Sequence, residues 1–249
     1  MGTAASGYTL TKAQWNRLAE RFNSSVCDIT SGERGRVIHE LVESALDRRS
    51  RPVMVDVGCG VGTFIRRYGR RFEESVGVDF AERMLRGARR RCAKVPRVRW
   101  VCSAVEDVPK KVGRISDFTV CMNVLTSPSA ALRRRQWRAL GQITHPGGCL
   151  LVVLPSFESA AFVAEVEERM NPGSSAQREA DGTVHRGRAR QKHYTRAELR
   201  ESAERAGFRV LKTPKVHYGW VDEGLSPSRS HARGRYPWDW ALFAVRRSK

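Results

Sequence analysis

No apolar run in this 249-residue chain approaches the roughly 20 residues that a bilayer-spanning helix needs. The sequence also lacks a charged start followed by an apolar core, the pattern of a secretory signal, so the expected location is the cytoplasm. Cysteine is scarce and scattered. The six thiols, Cys27, Cys59, Cys92, Cys102, Cys121 and Cys149, form no Cys-x-x-Cys pair and no ligand-like spacing, which argues against structural zinc or any other metal site. They read as buried free thiols in a reducing compartment. Acidic residues are few, 26 against 45 basic ones, for a net charge of +19. Such a surplus attracts polyanions without sequence preference. Lysine is scarce too, arginine supplying 37 of the 45 basic residues. Its clusters, Arg66-Arg67, Arg70-Arg71, Arg89 to Arg91 and Arg133 to Arg135, fall in stretches that read as helices covering a sheet. They are expected to be solvated faces, which leaves nucleic acid a partner that the charge permits but does not favour.

The most informative segment is Val55-Asp56-Val57-Gly58-Cys59-Gly60-Val61-Gly62-Thr63-Phe64. Met54, Val55 and Val57 predict a short buried strand with Asp56 near its end, and Gly58, Gly60 and Gly62 predict a tight turn into a helix. A strand-turn-helix of this kind aims free backbone N–H groups at a ligand. The spacing departs from the Gly-x-Gly-x-x-Gly of nicotinamide and flavin binders, which places an oxidoreductase third among the readings. Cys59, inside the loop, reads as a small residue that fits there. Further on, Ser75 to Asp79 predicts a second strand ending in a carboxylate able to accept both hydroxyls of a ribose. Val98 to Cys102, Ser116 to Leu125 and Cys149 to Leu154 predict further strands, with Asn123 at the mouth of one.

In this order the elements resemble the class I S-adenosylmethionine-dependent methyltransferases over roughly residues 50 to 155. The resemblance implies an α/β fold: a doubly wound, seven-stranded, mostly parallel sheet, the Rossmann-like methyltransferase fold, with an N-terminal helical lid. It implies S-adenosylmethionine as cofactor and S-adenosylhomocysteine as product. The cofactor-binding residues it implies are Asp56, Gly58, Cys59, Gly60, Gly62, Asp79, Ala104, Val105, Glu106 and Asn123. Ala104 departs from the family, which commonly has an Asp there to bind the adenine amino group.

One domain over 1–249 is expected, with a lid region at 1–50, a cofactor half at 51–155 and a substrate side at 156–249. In the lid, Thr11 to Gln14 forms a capping box and Trp15, Leu18 and Phe22 follow at helical spacing. A second helix is predicted from Glu33 to Arg48. After the fifth strand, Pro155 to Met170 contains an amphipathic helix. Residues 171–192 look like a mobile excursion over the site. Thr195 to Glu198 is a capping box for a helix stopped by Gly207. Phe208 to Val216 and Trp238 to Val245 are expected as strands six and seven, the last antiparallel beside the sixth as the family pattern implies.

Candidate substrate contacts are Trp15, Phe22, Tyr218 and Trp220, with ordinary packing the leading reading of each. His193 and Tyr194 are the candidates for a general base. Trp238 and Trp240 alternate on a strand and share one face. The expected function is methyl transfer to a small-molecule acceptor. RNA or protein methylation and a cofactor-binding module without turnover stand as alternatives. Met1-Gly2 and the following residues fit the loose N-myristoylation pattern at Gly2.

Overall fold

The computed structural model describes residues 12–18, 28–47, 52–173, 177–186 and 189–248. Gly2, Phe22 and the Thr11 cap lie outside them.

Five parallel strands form the centre: β1 (Val53–Val57), β2 (Glu74–Asp79), β3 (Val98–Cys102), β4 (Ser116–Met122) and β5 (Thr144–Pro155), in the order β3-β2-β1-β4-β5. Beyond β5 comes β11 (Trp238–Arg246), antiparallel, which pairs on its far side with both β9 (Phe208–Lys212) and β10 (Lys215–His217). The predicted sixth strand is therefore two short strands in one sheet position. Pro214 divides them: it has no N–H to give, and its carbonyl accepts from the N–H of Ala241. The sheet has eight strands in seven positions, and its last strand is inserted antiparallel, as the resemblance implies.

Alternation along the strands makes two cores. Leu150, Val152 and Leu154 of β5 face one side with Val55 and Val57 of β1, where Leu140 and Phe162 meet them. Leu151 and Val153 face the other with Met54, Ile38, Ile65 and Leu85. The covering helices are α1 (Lys12–Leu18), a short turn α2 (Ile29–Gly32), α3 (Val37–Leu46), α4 (Thr63–Tyr68), α5 (Glu82–Arg91), α6 (Val108–Val112), α7 (Ala130–Ile143), α8 (Phe157–Met170), α9 (Arg196–Arg205) and α10 (Arg229–Ala232). The helix predicted from Glu33 begins a turn later because the Glu33 carboxylate instead accepts from the N–H of Ile38. Ser129, Ser156 and Thr195 cap α7, α8 and α9 through their hydroxyls.

The stretch 171–192, expected as an unstructured excursion, carries an antiparallel sheet of β6 (Gln177–Arg178), β7 (Thr183–Arg186) and β8 (Ala189–Lys192). The backbone N–H of Lys192 donates to Thr126 and that of Tyr194 to Pro155, tying this sheet to the ends of β4 and β5. The Lys192 ammonium, 1% exposed, reaches back to the Glu198 carboxylate at 2.7 Å. Glu198 thus receives the Thr195 cap at its backbone and spends its side chain on Lys192.

Candidate functional site

A cavity of about 390 Å³ opens where the parallel strands end, the edge at which open α/β sheets bind ligands. The glycine turn forms one part of it. Gly58 has φ +80° and Gly62 +79°, a region that disfavours any side chain. A Cβ on Gly58 would stand 2.2 Å from Val124 and one on Gly62 2.9 Å from the Cys92 sulfur, so the loop is packed as tightly as its backbone allows. Gly58 and Cys59 donate their N–H groups to the carbonyl of Val78, which holds the turn against the end of β2.

Asp79, at that end, accepts from the N–H of Gly60 at 3.0 Å and of Ala81 at 2.8 Å. Burial pushes its carboxyl up to about 6, against the lowering effect of those N–H groups. Asp56 is 3% exposed and its Oδ2 has no hydrogen-bond partner among the described residues. Burial, with the like charges of Asp79 and Asp28, pushes it up to about 8. Two buried carboxylates without a cation are costly unless a ligand supplies the missing donors. Burial also pushes the Cys59 thiol well above its ordinary range, so it is a packing residue and no reactive thiolate.

The rest of the cavity is different in kind. Asn123, at φ +55° just past β4, takes a left-handed conformation that Asn tolerates better than most residues. Its amide donates to Asp239 on β11 at 3.3 Å. Burial, with Glu223 and Asp222 nearby, pushes the Asp239 carboxyl up to about 7, the Asn123 bond acting the other way. Tyr218, whose hydroxyl donates to Glu223 at 2.6 Å, His193 and Gln191 also line this space.

The structure brings most of the expected residues together. Asp56, Gly58, Cys59, Gly60, Asp79, Ala104, Val105, Glu106 and Asn123 line the cavity with Trp15, Tyr218 and His193. Gly62 does not: it starts α4 beneath the loop. Tyr194 is not placed to act as a base. It is 1% exposed, its hydroxyl donates to the Leu125 carbonyl at 2.7 Å, and burial raises it further from ionisation. Trp220 is not a lining residue either; it packs on Phe162 and donates its ring N–H to Arg235. Sequence reasoning missed Asp239, Gln136, Gln191 and Thr30. For Asp239 a signal existed: an acid between Trp238 and Trp240 must point away from the face they share, and a last strand that runs antiparallel puts its first residues at the ligand edge.

Residues 54–148 match the family model described as Methyltransferase domain. Over that stretch the chain is similar to methyltransferase domains. No curated protein matches it by sequence. The 1,6-didemethyltoxoflavin-N1-methyltransferase of Burkholderia thailandensis, solved with 1,6-didemethyltoxoflavin and S-adenosylhomocysteine, is 14% identical at a TM-score of 0.65, covering 95% of this chain and 87% of that chain. A complex of the Haloferax volcanii Trm112 methyltransferase activator with a methyltransferase gives 16% and 0.61, covering 94% and 98%. Magnesium protoporphyrin IX methyltransferase from Synechocystis PCC 6803, with bound S-adenosylhomocysteine, gives 16% and 0.59, covering 96% and 89%. At such identities these neighbours establish the fold of the chain.

Proposed function

We propose that the protein transfers the methyl group of S-adenosylmethionine to a small-molecule acceptor. The observation that carries the reading is that one cavity holds both the glycine-loop end, with Asp56 and Asp79, and a second end of different chemistry, with Asn123, Tyr218, His193 and Asp239. The residues present fit the cofactor. Asp79 is a carboxylate at the end of β2 with lone pairs left for ribose hydroxyls. The orphaned Oδ2 of Asp56 and Oγ1 of Thr63 face the same loop. Ala104 brings no side-chain acceptor to the adenine end, where Glu106 and Ser103 supply the polar groups instead.

When bound, the cofactor supplies a methyl group already activated on a sulfonium. The chain's own part is to position and to exclude water. Trp15 packs against Val61, Ala81 and Met84 and walls the cavity on the side of the N-terminal helix. The β6–β8 sheet contributes Val184 and Gln191 from the other half of the chain. An acceptor enclosed by both is small, which sets this reading ahead of RNA or protein methylation despite the net charge.

Isothermal titration with S-adenosylmethionine and S-adenosylhomocysteine tests the assignment. Binding to the wild-type protein is expected, sharply weakened in Gly60→Arg and Asp79→Ala. A folded wild-type protein that binds neither ligand would overturn it.

A further inference from the structure

The cavity reverses the charge of the chain around it. Basic residues exceed acidic ones by 19 over the whole sequence, yet no Lys or Arg stands among the described residues that line the cavity. Asp56, Asp79 and Glu106 belong to the cofactor end. Asp28, Asp222, Glu223 and Asp239 line it as well. The cofactor brings one sulfonium and a zwitterionic amino-acid end, a single net positive charge, which the carboxylates at its own end already meet.

Asp239 is the most deeply placed of the second group, 5% exposed. Its hydrogen-bond partner is the neutral amide of Asn123, and the charges that act on it, Glu223 and Asp222, have its own sign. No described cation pairs with it. A second, independent observation comes from α7. Gln136 is 8% exposed, lines the same cavity, and its Oε1 has no hydrogen-bond partner among the described residues. Asn123 likewise leaves its Oδ1 unmatched. Carboxylate and amide oxygens accept and do not donate, so the unmatched oxygens that Asn123 and Gln136 bring to the cavity, with the Asp239 carboxylate, are complementary to a group made of donors and carrying positive charge. An ammonium is that group. An anionic acceptor would meet repulsion and find no Lys or Arg among the described lining residues to bind it.

We propose that the acceptor is a small amine, held as its ammonium ion by Asp239; this rests on the methyl-transfer reading above. Before it can attack, the nitrogen gives one proton to the Asp239 carboxylate, which becomes the neutral acid. The electron pair of the broken N–H bond stays on nitrogen as the lone pair that forms the new N–C bond, while the C–S bond that breaks leaves its pair on sulfur, giving the neutral thioether and an N-methylammonium. Asn123 orients the carboxylate, and Asp222 and Glu223 beside it favour its taking up the proton.

The test is calorimetric titration of the protein, with and without saturating S-adenosylhomocysteine, with size-matched pairs: phenethylamine against phenylacetate, histamine against imidazoleacetate, putrescine against succinate. At least one amine is expected to bind about tenfold or more tighter than its carboxylate counterpart. Asp239→Asn should weaken that amine about tenfold while leaving S-adenosylhomocysteine affinity within about twofold, and Gln136→Leu should weaken it in the same selective way. If no amine binds better than its counterpart, or if both variants leave amine binding intact, the proposal is overturned. It is also overturned if Asp239→Asn weakens the homocysteine product as much as the amine, because Asp239 then serves the cofactor. A wild-type protein that binds amines through Asp239 but not S-adenosylhomocysteine would refute the methyl-transfer reading and leave the amine site standing.

Discussion

The side-chain amide of Asn123 donates to the carboxylate of Asp239 at 3.3 Å, joining the end of β4 to the start of β11. This bond couples the centre of the sheet to a strand near its edge, in the lining of the cavity. It is also the one contact that favours the charged form of Asp239 against burial and against Asp222 and Glu223. Asn123→Ala removes it, so the Asp239 titration should move upward from about 7. Carbon-detected NMR of the Asp carboxyls in wild type and variant reads the shift directly. An unchanged or lower midpoint would show that the bond does not govern Asp239.

Stability of the ligand-free protein should fall as pH rises from about 4 to about 8. Asp56 has a folded-state value of about 8, above the roughly 3.9 of an exposed carboxyl. Between those values the folded state holds the proton and the unfolded chain has lost it, so each step upward in pH favours unfolding. Asp79, at about 6, acts in the same direction. In urea unfolding at pH 5 and pH 8, wild type should lose stability on the order of 1–4 kcal/mol. Asp56→Asn should lose distinctly less.

Tyr194→Phe should cost about 1 kcal/mol of stability, because the hydroxyl donates to the Leu125 carbonyl inside the core. Methyl transfer should persist in the variant. A drop of a hundredfold or so in kcat with little change in Tm would instead mark Tyr194 as a proton-transfer group.

Removing the carboxylate of Glu198 takes away the carboxylate partner of Lys192, a residue 1% exposed, and leaves its ammonium the Asp181 carbonyl. Breaking a fully buried pair costs roughly 3–5 kcal/mol. The Glu198 side chain is 36% exposed, so water reaches the partner left behind and about 2 kcal/mol is expected for Glu198→Ala. The loss should appear first in hydrogen exchange at Val184 and Gln191, whose strands Lys192 fastens. Exchange there that matches wild type would show that the ion pair does not anchor the small sheet.

The cofactor half was legible because its information is local. Gly58, Gly60 and Gly62 sit where a strand must turn into a helix, Asp79 ends the next strand, and Asn123 ends the fourth. All line or support the cavity within a few residues of their motif. The part of the cavity proposed for the acceptor draws on segments far apart in sequence: Gln136 from α7, Gln191 from β8, Asp239 from β11. No spacing rule relates them, since only the closing of the sheet puts them together. Tyr194 was misread for a related reason. Beside His193 it has the chemistry of a base, but its neighbour lines the cavity while its own ring goes to the core. The small β6–β8 sheet escaped notice because its strands are two to four residues long, and their polar composition is also that of a loop.

The insertion of β11 between β5 and the β9–β10 position carries a consequence for how the molecule is made. On the ribosome, strands β1 to β5 can pair as they emerge, each beside one already present or soon to follow. The slot next to β5 stays open until residues 238–246 arrive, nearly a hundred residues after β5 has left the exit tunnel. For that interval a strand rich in Leu and Val has an unpaired edge, the kind of surface that aggregates or recruits a chaperone. Asp239 enters the cavity only with that last strand, so a nascent chain can shape its glycine loop early yet has no complete cavity until synthesis has passed Arg246.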